Sequence, residues 1–157
     1  MIDLTENIKG SKIIDGFGVL LFDDESIYIG KFSQLFGNST PHYYGKLLLS
    51  NRNSYSGEIS NGRIEGYGLY KTSDSHGQYE GEWMNETQDG LGIEKWNSTL
   101  EYQGIFDFGQ KTVGKMTWED GSFYEGEFHN NNFNGYVRIL TLNFFKLILL
   151  IGNISFS

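Results

Sequence analysis

The sequence predicts an all-β protein built from stacked hairpins. Three observations carry that prediction. The first is a recurring unit: Tyr79-Glu80-Gly81-Glu82-Trp83, Tyr102-Gln103-Gly104-Ile105-Phe106 and Tyr124-Glu125-Gly126-Glu127-Phe128. Weaker copies stand at Tyr28-Ile29-Gly30-Lys31-Phe32 and Tyr55-Ser56-Gly57-Glu58-Ile59. The tyrosines step by 27, 24, 23 and 22 residues, and self-similarity at such a period marks a repeat array. The second observation is period-two alternation. Tyr79, Gly81 and Trp83 share one strand face while Glu80 and Glu82 share the other, and Tyr124, Gly126 and Phe128 repeat this. The third is composition: aromatics are 16%, glycines number 21 and there is one proline, as suits a β-rich chain.

A second element runs in phase with the first. In Gly16-Phe17-Gly18, Gly66-Tyr67-Gly68 and Gly90-Leu91-Gly92 the second glycine precedes a tyrosine by 10 or 11 residues. Gly45 and Gly114 keep the interval, with Tyr43 and Thr112 in place of the first glycine. The unit is therefore a hairpin of about 23 residues, and a lone hairpin is marginal in water, so neighbours must bury a shared aromatic face. Glycine weakens strands in general. Recurring in register between large aromatics, Gly81 and Gly104 are expected to make room for a ring lying across the backbone.

In chain order, residues 1–15 read as a half-repeat or cap, with 8–14 covering the first sheet edge. The repeat array is expected over 16–137, in about five units. Asp23-Asp24-Glu25-Ser26, Ser73-Asp74-Ser75-His76-Gly77 and Glu119-Asp120-Gly121 are turns between strands. Ser33 to Tyr43, with the only proline, Pro41, is expected as a long loop. Residues 44–71 are the least regular unit, and 66–128 the most regular. Residues 138–157 form a degenerate apolar cap or tail; the run 139–151 is too short for a normal membrane helix. A capping strand or helix, a membrane- or partner-binding segment, and a misread chain end all remain open for it.

Composition also excludes functions. With no cysteine there are no disulfides and no thiolate metal sites. A net charge of −8 argues against nucleic acid as a partner. Lys111 with Lys115 is the nearest thing to a basic cluster. His42, His76 and His129 are expected in loops, solvated and without metal-ligand spacing. The Glu80/Glu82 and Glu125/Glu127 pairs read as solvated strand faces rather than acid–base pairs. No nucleophile elbow or third phosphate-loop glycine appears. Catalytic residues, cofactors and metals are therefore all expected to be none.

The pattern Tyr-x-Gly-x-Trp/Phe, then Gly-x-Gly, then a polar turn before the next Tyr resembles the MORN (membrane occupation and recognition nexus) repeat. The resemblance runs from about Gly16 to Gly135. Departures are Ile59 for the terminal aromatic, Tyr43 and Thr112 for first glycines, and the longer first unit. The resemblance implies an elongated, twisted antiparallel sheet. Its structural core would be Tyr28, Gly30, Phe32, Tyr55, Gly57, Tyr79, Gly81, Trp83, Tyr102, Gly104, Phe106, Tyr124, Gly126 and Phe128. Gly66, Gly68, Gly90, Gly92 and Gly114 complete it. Large residues four places after the second glycine, Phe22, Trp96 and Trp118, read either as cross-strand packing or as the lining of a partner groove.

The function that resemblance and absent chemistry imply is a non-catalytic scaffold, binding another protein or itself. The rivals are a phosphoinositide-membrane module, with weak membrane contact through 139–151, and a regulatory fragment of a larger enzyme. The expected place is the cytoplasm, at a cytoskeletal or ciliary structure. Secretion is not expected, because Met1-Ile2-Asp3-Leu4-Thr5-Glu6 lacks the form of a signal.

Overall fold

The computed structural model describes residues 4–5, 8–14, 16–35, 38–143 and 146–155. Among them lie thirteen strands: β1 Ile8–Ile14, β2 Phe17–Phe22, β3 Ile27–Leu35, β4 Asn38–Leu48, β5 Ser54–Ser60, β6 Arg63–Lys71 and β7 Gly77–Met84. The series continues with β8 Thr87–Trp96, β9 Leu100–Asp107, β10 Gln110–Trp118, β11 Phe123–His129, β12 Asn132–Asn143 and β13 Lys146–Ser155. All pair in one antiparallel sheet, in sequence order and without a crossover. At about 4.8 Å per strand the sheet runs roughly 55–60 Å along its hydrogen bonds.

Two kinds of turn alternate along the sheet margins. After each odd strand from β5 to β11, a two-residue turn has both residues at positive φ: Asn61-Gly62, Asn85-Glu86, Phe108-Gly109 and Asn130-Asn131. That is the type I′ geometry whose twist matches a hairpin, and Asn and Gly suit it. At the opposite margin the turns are longer and stabilised by an Asx contact. Ser26 N donates to Asp24 (2.9 Å), Asn53 N to Asn51 (3.0 Å), His76 N to Asp74 (2.9 Å) and Ser122 N to Asp120 (2.9 Å). Neighbouring turns are also tied together. Gly62 N donates to the Pro41 carbonyl, Glu86 N to Ile64 and Gly109 N to Gln88.

Each odd-to-even hairpin from β3–β4 to β11–β12 carries a β-bulge at the Gly-x-Gly or its equivalent, and Gly66 (φ 72°) and Gly90 (φ 96°) occupy the left-handed region there. Tyr43 adopts the same conformation at φ 71° without being glycine, a strained choice for a bulky side chain. Beyond the bulge the second glycines fall into register. One glycine per strand, from Gly18 on β2 to Gly126 on β11, faces the next across ten strands.

Several expectations change here. Ser33 to Tyr43 is not a loop: β3 runs to Leu35 and β4 starts at Asn38, with Pro41 buried opposite Phe32. The turn residues 36–37, including Gly37, lie outside the described residues. Proline is tolerated because the strand bulges between Gly45 and Pro41, where a ladder donor is not required. His42 lies on β4 rather than in a loop, half-buried, with its Nδ1 accepting from Asn61 N at 3.1 Å. The edge segment 8–14, expected to cover the first sheet edge, does so as β1, paired with β2. The boundary expected at 137 falls inside β12, and the apolar run is shared between β12 and β13, which pair with each other.

Candidate functional site

The sheet has a tyrosine face and an opposite face, and the repeat builds them differently. On the tyrosine face Tyr28, Tyr55, Tyr79, Tyr102 and Tyr124 are each about 1% exposed or less. Every hydroxyl donates to the carbonyl three residues on: Lys31 (2.9 Å), Glu58 (2.8 Å), Glu82 (2.8 Å), Ile105 (3.0 Å) and Glu127 (2.6 Å). The ring thus folds back over its own glycine and the glycine paired with it. A Cβ on Gly81 would meet Gly92 Cα at 2.5 Å and the Tyr79 hydroxyl at 2.7 Å; one on Gly92 would meet the Tyr79 ring at 2.5–2.6 Å. Burial pushes the phenols of Tyr28 and Tyr102 up to about 12 and also raises those of Tyr55 and Tyr79.

Aromatic edges link one unit to the next. Phe106 stands edge-on to Tyr102 at 5.1 Å and to Tyr79 at 5.0 Å; Phe128 does the same to Tyr124 (5.2 Å) and Tyr102 (5.1 Å). Trp83 touches Tyr55, Tyr70 and Tyr79 and joins the two halves of the core.

Beside these aromatics, the even strands contribute one residue each: Pro41, Ile64, Gln88, Lys111 and Phe133, paired with Phe32, Ile59, Trp83, Phe106 and Phe128. Two of the five are polar. Lys111 is nearly buried, its Nζ 2.6 Å from a Glu94 carboxylate oxygen and 4.7 Å from the Trp96 ring centre. Gln88 leaves space instead. An open cavity of about 340 Å³ lies between Ile64, Tyr70, Trp83, Thr87, Gln88 and Gly109, with Glu86 also on its wall.

At the start of the chain, Leu4 fills a corresponding place. It is 1% exposed in the cluster of Phe32, Ile59 and Ile64, and its N–H donates to the Gly62 carbonyl at 3.1 Å.

On the opposite face the middle residue of each Gly-x-Gly, or its equivalent, projects outward. Phe17 is 54% exposed, Tyr44 58%, Tyr67 52%, Leu91 62% and Val113 44%. Leu91 pairs with Ile105 and Ile105 with Val113, so three strands present adjacent exposed aliphatics. Tyr44 pairs with Glu58, Tyr67 with Glu82 and Val113 with Glu127. These glutamates are not only a solvated fringe. Glu58 accepts from Tyr67 N (3.2 Å) and Glu82 from Leu91 N (3.3 Å), each capping a bulge donor.

The structure places the predicted core tyrosines, the paired second glycines and the terminal aromatics on one face, while Gly66 and Gly90 at the bulges lie against the Glu58 and Glu82 side chains of the other. It does not bring Phe22, Trp96 and Trp118 together. Phe22 is buried on β2, six strands from Trp96 on β8. Trp96 and Trp118 flank Leu100 on β9, and Trp118 is edge-on to Phe133 at 6.0 Å. The concavity lies elsewhere, at Gln88. Lys111 and Lys115 form no basic cluster: the bulge between Lys111 and Val113 turns them to opposite faces, where Lys115 lies over Phe123. His76 is exposed beside Asp74 (3.2 Å) and His129 is exposed at the end of β11. Among the described residues no three His, Asp or Glu side chains gather as a metal site.

Hairpins stacked in sequence order and locked by in-register tyrosine–glycine contacts define a β-hairpin repeat module. The MORN repeat model matches residues 55–76, 79–99, 102–123 and 124–136, and the chain belongs to the MORN repeat family. A comparison with curated proteins finds no match.

Proposed function

We propose that this chain is a non-catalytic scaffold that binds another protein across the face opposite the tyrosines. The observation behind this is the row Tyr44, Tyr67, Leu91 and Val113, one exposed apolar side chain per unit, widened by Ile105. Folding alone does not call for it, because the buried aromatic core lies on the other face. Contiguous exposed apolar surface marks interaction sites in soluble proteins. Glu58, Glu80, Glu82, Glu125 and Glu127 stand among or beside these residues. Lys31, Lys46, Lys95 and Lys115 share this face, so it carries both signs and lacks an unopposed basic cluster of the kind that draws anionic lipid at roughly 1 kcal/mol per Lys or Arg. That ranks a protein surface above a phosphoinositide membrane as the partner.

The test compares the full chain with a Leu91→Asp, Val113→Asp variant in affinity capture, sedimentation and liposome flotation. A partner or self-association present in wild type and lost in the variant is expected, with no flotation on phosphoinositide vesicles. Flotation of the wild type, or capture indifferent to the variant, overturns the reading.

A further inference from the structure

On the tyrosine face, we infer that the cavity beside Gln88 is a seat for a leucine-sized aliphatic side chain carried on a short turn segment of a partner protein. The chain itself supplies the template. Leu4 is buried in the cluster of Phe32, Ile59 and Ile64, and its backbone is held by the Gly62 carbonyl in the Asn61-Gly62 turn.

Moving that seat one repeat along the sheet converts its walls residue by residue. Ile59 becomes Trp83, Ile64 becomes Gln88, and Pro41 becomes Ile64. The Asn61-Gly62 turn becomes Asn85-Glu86. Ile64, Trp83, Gln88 and Glu86 are walls of the cavity, so the cavity is the next copy of the seat that Leu4 occupies. Ile64 belongs to both places, which makes them continuous.

The two following copies are filled from within. Lys111 lies under Trp96, Tyr102 and Phe106 in one, and Phe133 stacks on Tyr124 at 4.2 Å in the other. At Gln88 the room is open. About 340 Å³ is ample, since a cavity of roughly 150 Å³ already holds a benzene-sized group. The occupant is a short peptide segment because Leu4 and Thr5 form a turn, with the Leu4 N–H on the Gly62 carbonyl and Thr5 against Gly62. It is aliphatic because Ile64, Tyr70 and Trp83 offer apolar walls.

The probe is a capped synthetic peptide of residues 2–7, Ile-Asp-Leu-Thr-Glu-Asn, titrated into the isotope-labelled full chain. The reporter is the Trp83 indole N–H, which donates to the Gly68 carbonyl at 3.2 Å beside the cavity. A saturable shift at millimolar peptide is expected, weakened about tenfold or more when the peptide leucine is alanine. Gln88→Trp, which fills the seat, abolishes it. Leu4→Asp, which empties the first seat, raises the stoichiometry from one peptide to two. An indole signal unmoved at the solubility limit, equal binding by the alanine peptide, or equal binding by folded Gln88→Trp overturns the inference. These readouts are separate from Leu91 and Val113, so a failed titration alongside successful capture would remove this seat and leave the scaffold reading standing.

Discussion

Glu80 and Gly81 are neighbours on one strand, yet they answer to opposite demands. Gly81 faces Tyr79 and the backbone of β8, with no room for a single carbon. Glu80 is exposed and receives a hydrogen bond from the Tyr67 hydroxyl at 3.2 Å. The same contrast recurs along the sheet. One face is determined by ring-on-glycine packing; the other keeps apolar side chains that the fold does not use. The ring-on-glycine packing therefore carries the fold, and the exposed row can be altered without disturbing it.

The largest effect is expected on the tyrosine face. Tyr102→Ala empties a fully buried site and removes a hydroxyl that donates to the Ile105 and Val113 carbonyls. It should cost about 3–5 kcal/mol in denaturant unfolding. A cost under 1 kcal/mol would break the contrast between the faces. Next is the charge inside that face. Lys111→Met strands the half-buried Glu94 carboxylate and should cost about 2 kcal/mol, less than a fully buried pair would because Glu94 keeps some exposure. Adding Glu94→Leu should recover most of that loss, and a double-mutant cycle measures it.

The phenols sharpen the comparison further. Their folded pKa values are raised above the unfolded value near 10, to about 12 for Tyr28 and Tyr102, by burial. A raised folded pKa means that the protonated phenol stabilises the fold. That contribution is complete below pH 10 and is lost as pH rises towards 12. Phenolate absorbance should therefore lag the unfolded-tyrosine curve and then rise together with unfolding. Titration of these five tyrosines near 10 with the sheet intact would contradict their burial. The smallest effect is expected on the opposite face: Leu91→Asp should change stability by no more than about 0.5 kcal/mol in a thermal melt.

Period and alternation made the strands, their faces and the glycine–aromatic pairing readable from sequence. Strand side chains keep a two-residue period until a bulge intervenes, and there the reading fails. Lys111 and Lys115 are four apart and share a face by counting, but the bulge puts two residues of β10 against one of β9 and separates them. Gln88 and Lys111 looked like ordinary polar residues for the same reason. Leu4 could not be read at all, because it is buried in a cluster whose other members, Phe32, Ile59 and Ile64 among them, lie far along the chain. Ser33 to Tyr43 read as a loop because proline and glycine signal turns locally, whereas pairing along the long β3–β4 hairpin prevails. The exposed row was present in the sequence as Tyr67, Leu91 and Val113, but alternation gives direction without saying whether anything covers that face.

The central claim is that the tyrosine face carries the fold and the opposite face is free of that duty. It is tested most directly by thermal melts of Gly104→Val and Glu80→Val measured side by side. A Cβ at Gly104 would run into the Val113 carbonyl oxygen and the Tyr102 hydroxyl, and backbone does not yield as a side-chain end does. Gly104→Val should therefore lose about 1–3 kcal/mol or more. Glu80→Val should be neutral or slightly stabilising, since valine favours strands. Strand propensity alone predicts a gain at both positions. A Gly104→Val protein as stable as wild type would contradict the account.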